Sequence, residues 1–486
     1  MGAALPSLKA RYPRYADYAG QTVGDIFSPA ELAAATFKQA HTFATTLVRN
    51  NGDGSFTLVP LARAAQLASV YGILAGDVDL FVGGRVVPWR YGVDPPSMLL
   101  QNDGHGHFSN VTKRLAPELE RVGMVTDAVW RDVDGDGRLD LVVVGEWMPI
   151  TVFHNAGGGR LVRALTRGFE KSEGWWNRIV AGDFTGHGRV DFIVGNLGLN
   201  TRLQASEREP VTMYVKDFDG SGVAKQIISA YNHGTSYPIA MRDELVAALP
   251  ALKARYPRYE DYARQTVSDI FSAADLKGAV FKQAHTFATT LARNNGDGSF
   301  TLVPLPREAQ LAPVYGILAR DVDGDGKMDL LLAGNFDGVK PEIGRMAAGY
   351  GLVLTGDGAG RFTPVRADHS GFLVPGQARD IQRLRTRRGD LYVVTRNNDR
   401  PLIFRSSRSE ARLVLTPLRP DDDDPVGAAH AVHGFPGGVL HHFDGGDVVR
   451  IDGPKGRAVG DVERHVVDHH QRLVARHERA DTADAK

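Results

Sequence analysis

The stretch DVDGDGRLD places carboxylates at Asp132, Asp134, Asp136 and Asp140, and DVDGDGKMD places them at Asp321, Asp323, Asp325 and Asp329. Aspartate fills places one, three, five and nine of each, and glycine fills four and six. Glycine there lets the backbone curl through positive φ, so the alternate side chains converge. The seventh residue, Arg138 or Lys327, can offer its backbone carbonyl, and the ninth aspartate closes the ring. Such a set of hard oxygens, completed by water, suits Ca²⁺, which takes about six to eight oxygens at roughly 2.3–2.6 Å. Without a cation the carboxylates repel one another. The spacing therefore predicts two calcium sites rather than two solvated acidic turns.

An EF-hand fails by position. It needs glutamate at the twelfth place and a helix afterwards. Val143 and Leu332 stand at that place, and the runs LVVVG and LLLAG that follow read as buried strands ending in glycine. Two further loops are degenerate. DFTGHGRVD keeps Asp183, Thr185 and Asp191 but has His187 at the fifth place, so a weaker site is expected. DFDGSGVAK keeps Asp217, Asp219 and Ser221 but has Lys225 at the ninth, where an ammonium repels a cation unless it points outward. The shortened stretch GDVDLFVGG at Asp77 lacks the loop glycines and is expected to bind nothing.

The elements that must hold these loops are short strands. The Asp loops alternate with β-hairpins such as RNNGDGSFTLV, QNDGHGHFSNV, HNAGGGRLVRA and TGDGAGRFTPV, whose small polar residues suit tight turns. A loop-strand-hairpin unit returning about every 40–60 residues suggests propeller blades. A second repetition is almost exact. Residues 3–79 match residues 247–323, with ALPSLKARYPRY answering ALPALKARYPRY and Val48 answering Ala292. The first half of this block has helical spacing, with Ser28 and Pro29 as a helix start; the second half is a hairpin. Three regions are expected: 1–79, a duplicated helical pair plus hairpin copied from 247–323; 80–405, a propeller with a helical insertion at 243–284; and 406–486, a tail, disordered or non-native. The tail lacks Asn and, after Ser409, Ser, and holds eight of the 16 histidines.

Bulk composition narrows the classes. Lys+Arg and Asp+Glu both number 57, so no global field favours nucleic acid or a membrane surface. There is no cysteine, which excludes disulfides and thiolate metal sites. No apolar run is long enough for a membrane span. The start MGAALPSLKARYPRY lacks the apolar core of a signal peptide.

DxDGDGxxD followed by an apolar strand and glycine resembles the FG-GAP/VCBS repeat of integrin α-chain propellers and of many bacterial secreted proteins, over about residues 70–405. GMVTDAVWRDVDGDGRLDLVVVGEWMPITVF and VYGILARDVDGDGKMDLLLAGNFDGVKPEIGR look more narrowly like bacterial proteins akin to cartilage acidic protein. The resemblance implies an all-β fold, a calcium-stabilised β-propeller of about seven four-stranded blades. It also implies an extracellular or periplasmic setting, and a binding or adhesion role toward a protein or glycan ligand. No match to the ASPIC/UnbV domain that often ends such proteins is found; the tail stands in its place.

Two rivals stay open: a calcium-dependent, lyase-like polysaccharide enzyme on the same scaffold, and a rearranged fragment with no function of its own. A lyase needs a base and a charge neutraliser converging on one groove, and no pair is placed there by the sequence. Trp175 and Trp176, beside Asn177 and Arg178, read as blade packing or as a sugar platform. GNLGLNTRL, from Gly195 to Leu203, reads as a loop or a lining of the top face. His465 and His469, four apart, could share a metal on a helix.

Overall fold

A computed structural model describes residues 21–28, 32, 44–51, 55–61, 69–76, 79–105, 107–339, 344–386, 389–409 and 412–417. Asp77, Pro29, His465, His469 and most of the tail lie outside these residues. The chain divides into two units, Met1–Ala44 and Thr45–Lys486. In the first, Val23–Ile26 is a short helix. The Thr22 hydroxyl and N–H both donate to the Asp25 carboxylate, at 2.6 and 2.8 Å, and fix its start.

The second unit is built of antiparallel sheets. β1 (Thr46–Asn50) and β2 (Phe56–Pro60) form a hairpin. β3 (Ser69–Gly76), β4 (Asp79–Val86), β5 (Met98–Asn102) and β6 (Phe108–Asn110) make the first blade. β7 (Met124–Arg131), β8 (Asp140–Met148), β9 (Thr151–Asn155) and β10 (Leu161–Arg163) make the second, with β11 (Gly174–Trp175) added on β8. The third opens with β12 (Arg178–Gly182) and β13 (Asp191–Gly195). The chain then leaves to build a separate sheet from β14 (Val211–Lys216), β15 (Lys225–Asn232), β16 (Thr235–Pro238) and β17 (Val280–Ala284). It returns as β18 (Thr290–Asn294) and β19 (Phe300–Pro304), and β18 pairs with β13 to complete the third blade. β20 (Val314–Arg320), β21 (Asp329–Gly334), β22 (Leu352–Gly356) and β23 (Phe362–Val365) form the fourth. β24 (Ala378–Thr386), β25 (Gly389–Arg396), β26 (Leu402–Ser409) and β27 (Arg412–Pro417) form the fifth.

The first strands pack in succession, β3 on β7, β7 on β12, β12 on β20 and β20 on β24. This is the all-β propeller arrangement expected from the repeats, with five successive blades among the described residues where about seven were expected, because one four-stranded sheet stands outside the succession. Two boundaries differ from the expected ones. The helical insertion, five short helices between Arg242 and Leu276, lies within a longer excursion that splits the third blade and carries its own sheet. Ile227 of that sheet packs with Leu245, Leu249, Ile270 and Phe271 of the helices. The sequence showed the helices but not that β14 to β17 leave the blade, because both sheets have the same strand pattern. The edge drawn at residue 405 falls inside β26, and pairing runs on to Pro417.

The apolar runs after the Asp loops are buried because each serves two interfaces. In β8, Leu141 and Val143 join Phe81 and Leu99 of the first blade, while Val142 and Val144 join Phe192 and Val194 of the third. In β21, Leu330 and Leu332 face the third blade, and Leu331 and Ala333 face the fifth. Alternate residues of a strand point to opposite faces, so a strand with a blade on each side must be apolar throughout. The closing glycines, Gly145 and Gly334, are required by space: a Cβ there would collide with the Met124 or Pro313 carbonyl oxygen.

Candidate metal loops

Each Asp loop joins the first strand of a blade to the second: β7 to β8 at Asp132, β12 to β13 at Asp183, and β20 to β21 at Asp321. The loop at Asp217 joins β14 to β15 of the inserted sheet. The loop glycines have positive φ throughout, +81° and +83° at Gly135 and Gly137 and +84° and +86° at Gly324 and Gly326. The first aspartate organises the curl. Asp132 accepts the N–H groups of Gly135 (2.7 Å) and Gly137 (2.9 Å), and Asp321 accepts those of Gly324 and Gly326.

In both full loops three carboxylates converge. Oxygens of Asp132, Asp134 and Asp136 all lie within 4.8 Å of one another, as do those of Asp321, Asp323 and Asp325. That clustering fits a divalent cation with oxygen ligands. Side chains at the seventh place offset part of the charge: Arg138 pairs with Asp136, and the Lys327 ammonium lies 3.5 Å from Asp325.

The ninth aspartate has a further task. Asp140, Asp191 and Asp329 are fully buried. One oxygen accepts the N–H of the second loop residue: Val133 (3.0 Å), Phe184 (3.1 Å) or Val322 (2.9 Å). The other accepts an N–H from the third strand: Asn155 (2.8 Å), Asn294 (2.8 Å) or Gly356 (2.9 Å). This carboxylate staples the loop to the blade. Burial pushes the Asp329 carboxyl above its usual range, against the pull of the Val322 and Gly356 N–H groups.

The degenerate loops keep the curl and change its contents. At Asp183, Thr185 donates its hydroxyl to Asp191 at 2.7 Å. Burial pushes the Asp183 carboxyl up, but N–H donors led by Gly188 and His187 outweigh it and hold it below the usual range. At Asp217, Lys225 turns inward: its ammonium donates to Asp219 at 2.6 Å and to Ser221 at 2.9 Å. It takes the place of a cation and holds the Asp219 carboxyl well below its usual range.

Two arrangements escaped the sequence reading. His154 on β9 lies against the second blade's loop, with Nδ1 3.4 Å from Asp134 and 3.2 Å from Asp140. The second lies where the first strands converge. Arg178 of β12 pairs with Asp380 of β24 and stands 3.6 Å from Asp127 of β7. Burial pushes the Asp127 carboxyl up, and Arg178 opposes this. A signal existed: Gly72, Asp127, Arg178 and Gly316 each stand five residues before a loop's first aspartate. The blades carrying Gly72, Asp127, Gly316 and Asp380 have a β-bulge at that point, which re-aims the side chain.

Trp175 and Trp176 are packing residues. Trp176 is fully buried and donates its indole N–H to the Ser172 carbonyl at 2.8 Å. Trp175 packs on Trp147 and Phe287, with ring centroids 5.1 and 5.0 Å away. From the GNLGLNTRL stretch, Leu199 to Arg202 line an open cavity of about 300 Å³ with Gly344, Arg345 and Met346. No helix among the described residues is long and apolar enough to cross a membrane.

An FG-GAP-like repeat family matches residues 132–194, from the first aspartate of the second blade's loop to β13. The chain matches no curated protein. Among solved structures it is similar to a protein from Lactobacillus plantarum, at 13% identity, with 75% of this chain and 87% of that chain covered and a TM-score of 0.31. It is also similar to a glycoside hydrolase family 43 arabinoxylan arabinofuranohydrolase from Bacillus subtilis, in complex with cellotetraose. There the identity is 9%, the coverage 72% of this chain and 66% of that chain, and the TM-score 0.20. Residues 132–194 thus match an FG-GAP-like repeat, consistent with the FG-GAP/VCBS-repeat family read from the Asp loops.

Proposed function

We propose that this β-propeller is a calcium-binding module that acts by binding a protein or glycan ligand outside the cytoplasm. The observation that carries the calcium reading is the convergence of three carboxylates in each full loop. Asp132, Asp134 and Asp136 would hold one ion and Asp321, Asp323 and Asp325 the other, with the Arg138 and Lys327 carbonyls and with Asp140 and Asp329 completing the shells. The loop at Asp183, with Thr185 and Asp191, is a weaker candidate. The loop at Asp217, with Asp219 and Ser221, is the weakest, since Lys225 fills it. Calcium would supply charge neutralisation, not a reaction. The binding and export parts of the reading rest on the resemblance to the repeat family.

The unfolded chain cannot hold this geometry, so calcium should bind the folded state selectively. Stabilisation then follows mass action, about 1.4–2.7 kcal/mol per site at roughly 10–100 times Kd. Affinity in the range of extracellular modules, about 10⁻⁴–10⁻³ M, is expected. The test is a thermal melt in EDTA and in millimolar calcium. Wild type should gain several degrees, Asp134→Ala should lose part of the gain, and Asp134→Ala with Asp323→Ala most of it. Equal melting temperatures for wild type in the two buffers would show the loops to be turns.

A further inference from the structure

The two full loops are not equivalent. At the end of β9, His154 stands beside the loop of the second blade, one residue before Asn155, whose N–H holds Asp140. In the fourth blade the corresponding residue is Thr355, one before Gly356, whose N–H holds Asp329. Thr355 instead donates its hydroxyl to the Thr363 carbonyl at 3.4 Å. The third blade has Arg293 there, before Asn294. At this strand position the second blade is thus the one of these three that carries an imidazole; His187 of the third blade stands within its own loop instead.

The geometry around that nitrogen is that of a ligand set. One donor atom each from Asp134, Asp140 and His154 lie together within 4.8 Å. His154 Nδ1 is 3.2 Å from Asp140 Oδ2 and 3.4 Å from Asp134 Oδ2. Two donors, each about 2.1 Å from one tetrahedral ion, stand roughly 3.4 Å apart. The Nδ1 atom makes no hydrogen bond and is buried against the two carboxylates, while the side chain as a whole is 38% exposed. A buried ring nitrogen without a hydrogen bond is costly unless something else takes its lone pair. Asp140 is fixed by its two backbone donors, so one member of the set is rigid before any ion arrives.

We propose that Asp134, Asp140 and His154 bind a divalent transition-metal ion, with zinc as the type case, and water in the remaining position. Calcium prefers oxygen donors alone, whereas zinc takes imidazole nitrogen with carboxylate oxygen. Asp134, and Asp140 as the residue that completes the calcium shell proposed above, belong to both sets, so the loop holds the two ions in competition. The zinc site stands on its own geometry; only the competition rests on the calcium reading.

The experiment is calorimetric titration of the full chain with zinc chloride, and separately with calcium chloride. The tail histidines, His430 to His477, can also take up zinc, so the readout is the difference between chains. His154→Gln should lose one zinc equivalent. The loss should exceed the roughly 10–100-fold that removing an outer-shell partner costs. Its melting temperature in EDTA checks that it folds. Thr355→His places the same donor beside Asp323 and Asp329 and should gain one zinc equivalent. Zinc isotherms of His154→Gln that superimpose on wild type would overturn the proposal, whatever calcium does. So would a Thr355→His chain with no gain. Weak calcium heat with the zinc difference intact would sink the calcium reading and leave the zinc site standing.

Discussion

Lys225 shows how one side chain decides what a loop can hold. The Asp217 loop has the same curl as the others, with Gly220 and Gly222 at φ +70° and +79°. Its first aspartate accepts the same kind of backbone donors, from Ser221 at 3.0 Å and Gly222 at 2.7 Å. Besides Ser221 at the fifth place, what differs is the ammonium at the ninth, which already lies against Asp219 and Ser221. Replacing it with the residue of the full loops should remove the internal cation and add a carboxylate. Lys225→Asp is therefore expected to raise the calcium stoichiometry by one, read as an added equivalent in calorimetry. The sequence showed the conflict at this place, but not that the side chain points inward, since both orientations satisfy the spacing.

At the scale of the element, the ninth aspartate separates the fold of the loop from its charge. Asp191 is the cleanest case, because its loop carries Thr185 and His187 where the full loops have their second and third carboxylates. Losing its side chain leaves the Phe184 and Asn294 N–H groups without their acceptor in a buried setting. Each orphaned group costs about 1–3 kcal/mol. Asp191→Ala should therefore destabilise the protein by about 3 kcal/mol or more, with or without metal. Asp134→Ala, at an exposed loop position, should change stability in EDTA by less than about 0.5 kcal/mol. Urea denaturation of both variants in EDTA checks the contrast; equal losses would remove the staple. The sequence marked Asp140, Asp191 and Asp329 as ring-closing ligands. Their partners on the third strand lie in another element, beyond the reach of a spacing argument.

At the scale of the molecule, Arg178 ties blades that are not neighbours in sequence. It reaches Asp127 of the second blade and Asp380 of the fifth. The guanidinium is only 13% exposed, so removing it strands two buried carboxylates. Arg178→Met should cost about 3–5 kcal/mol, whereas replacing all three residues by apolar ones should be nearly neutral. Denaturant midpoints decide between those outcomes. The pH dependence has a definite sign. Burial raises the folded-state pKa of Asp127 above its ordinary 3.8, so between the two values the folded state binds more protons than the unfolded. The contribution of this group to stability therefore falls as pH rises through that window, and the penalty is absent below 3.8. Asp127→Asn should flatten that part of the curve of stability against pH. A curve unchanged by the substitution would mean that Asp127 does not titrate differently on folding.

The duplicated hairpin separates what sequence determines from what the tertiary structure decides. TLVRN with FTLVP and TLARN with FTLVP form hairpins in the same register, Thr46 opposite Pro60 and Thr290 opposite Pro304. Strand type, turn and register are local properties and repeat wherever the residues repeat. Burial is not local. Phe300 is 4% exposed, whereas Phe56 is 53% exposed, and Ala292 is fully buried where Val48 is 38% exposed. The cause is that β13 offers a single edge, where Phe192, Ile193 and Val194 pair with Ala292, Leu291 and Thr290. The same limit applies to the site. The Asp spacing alone specified the curl and the convergence of three carboxylates. The roles of His154, Asn155 and Arg178 were set by strands that meet only when the blades pack.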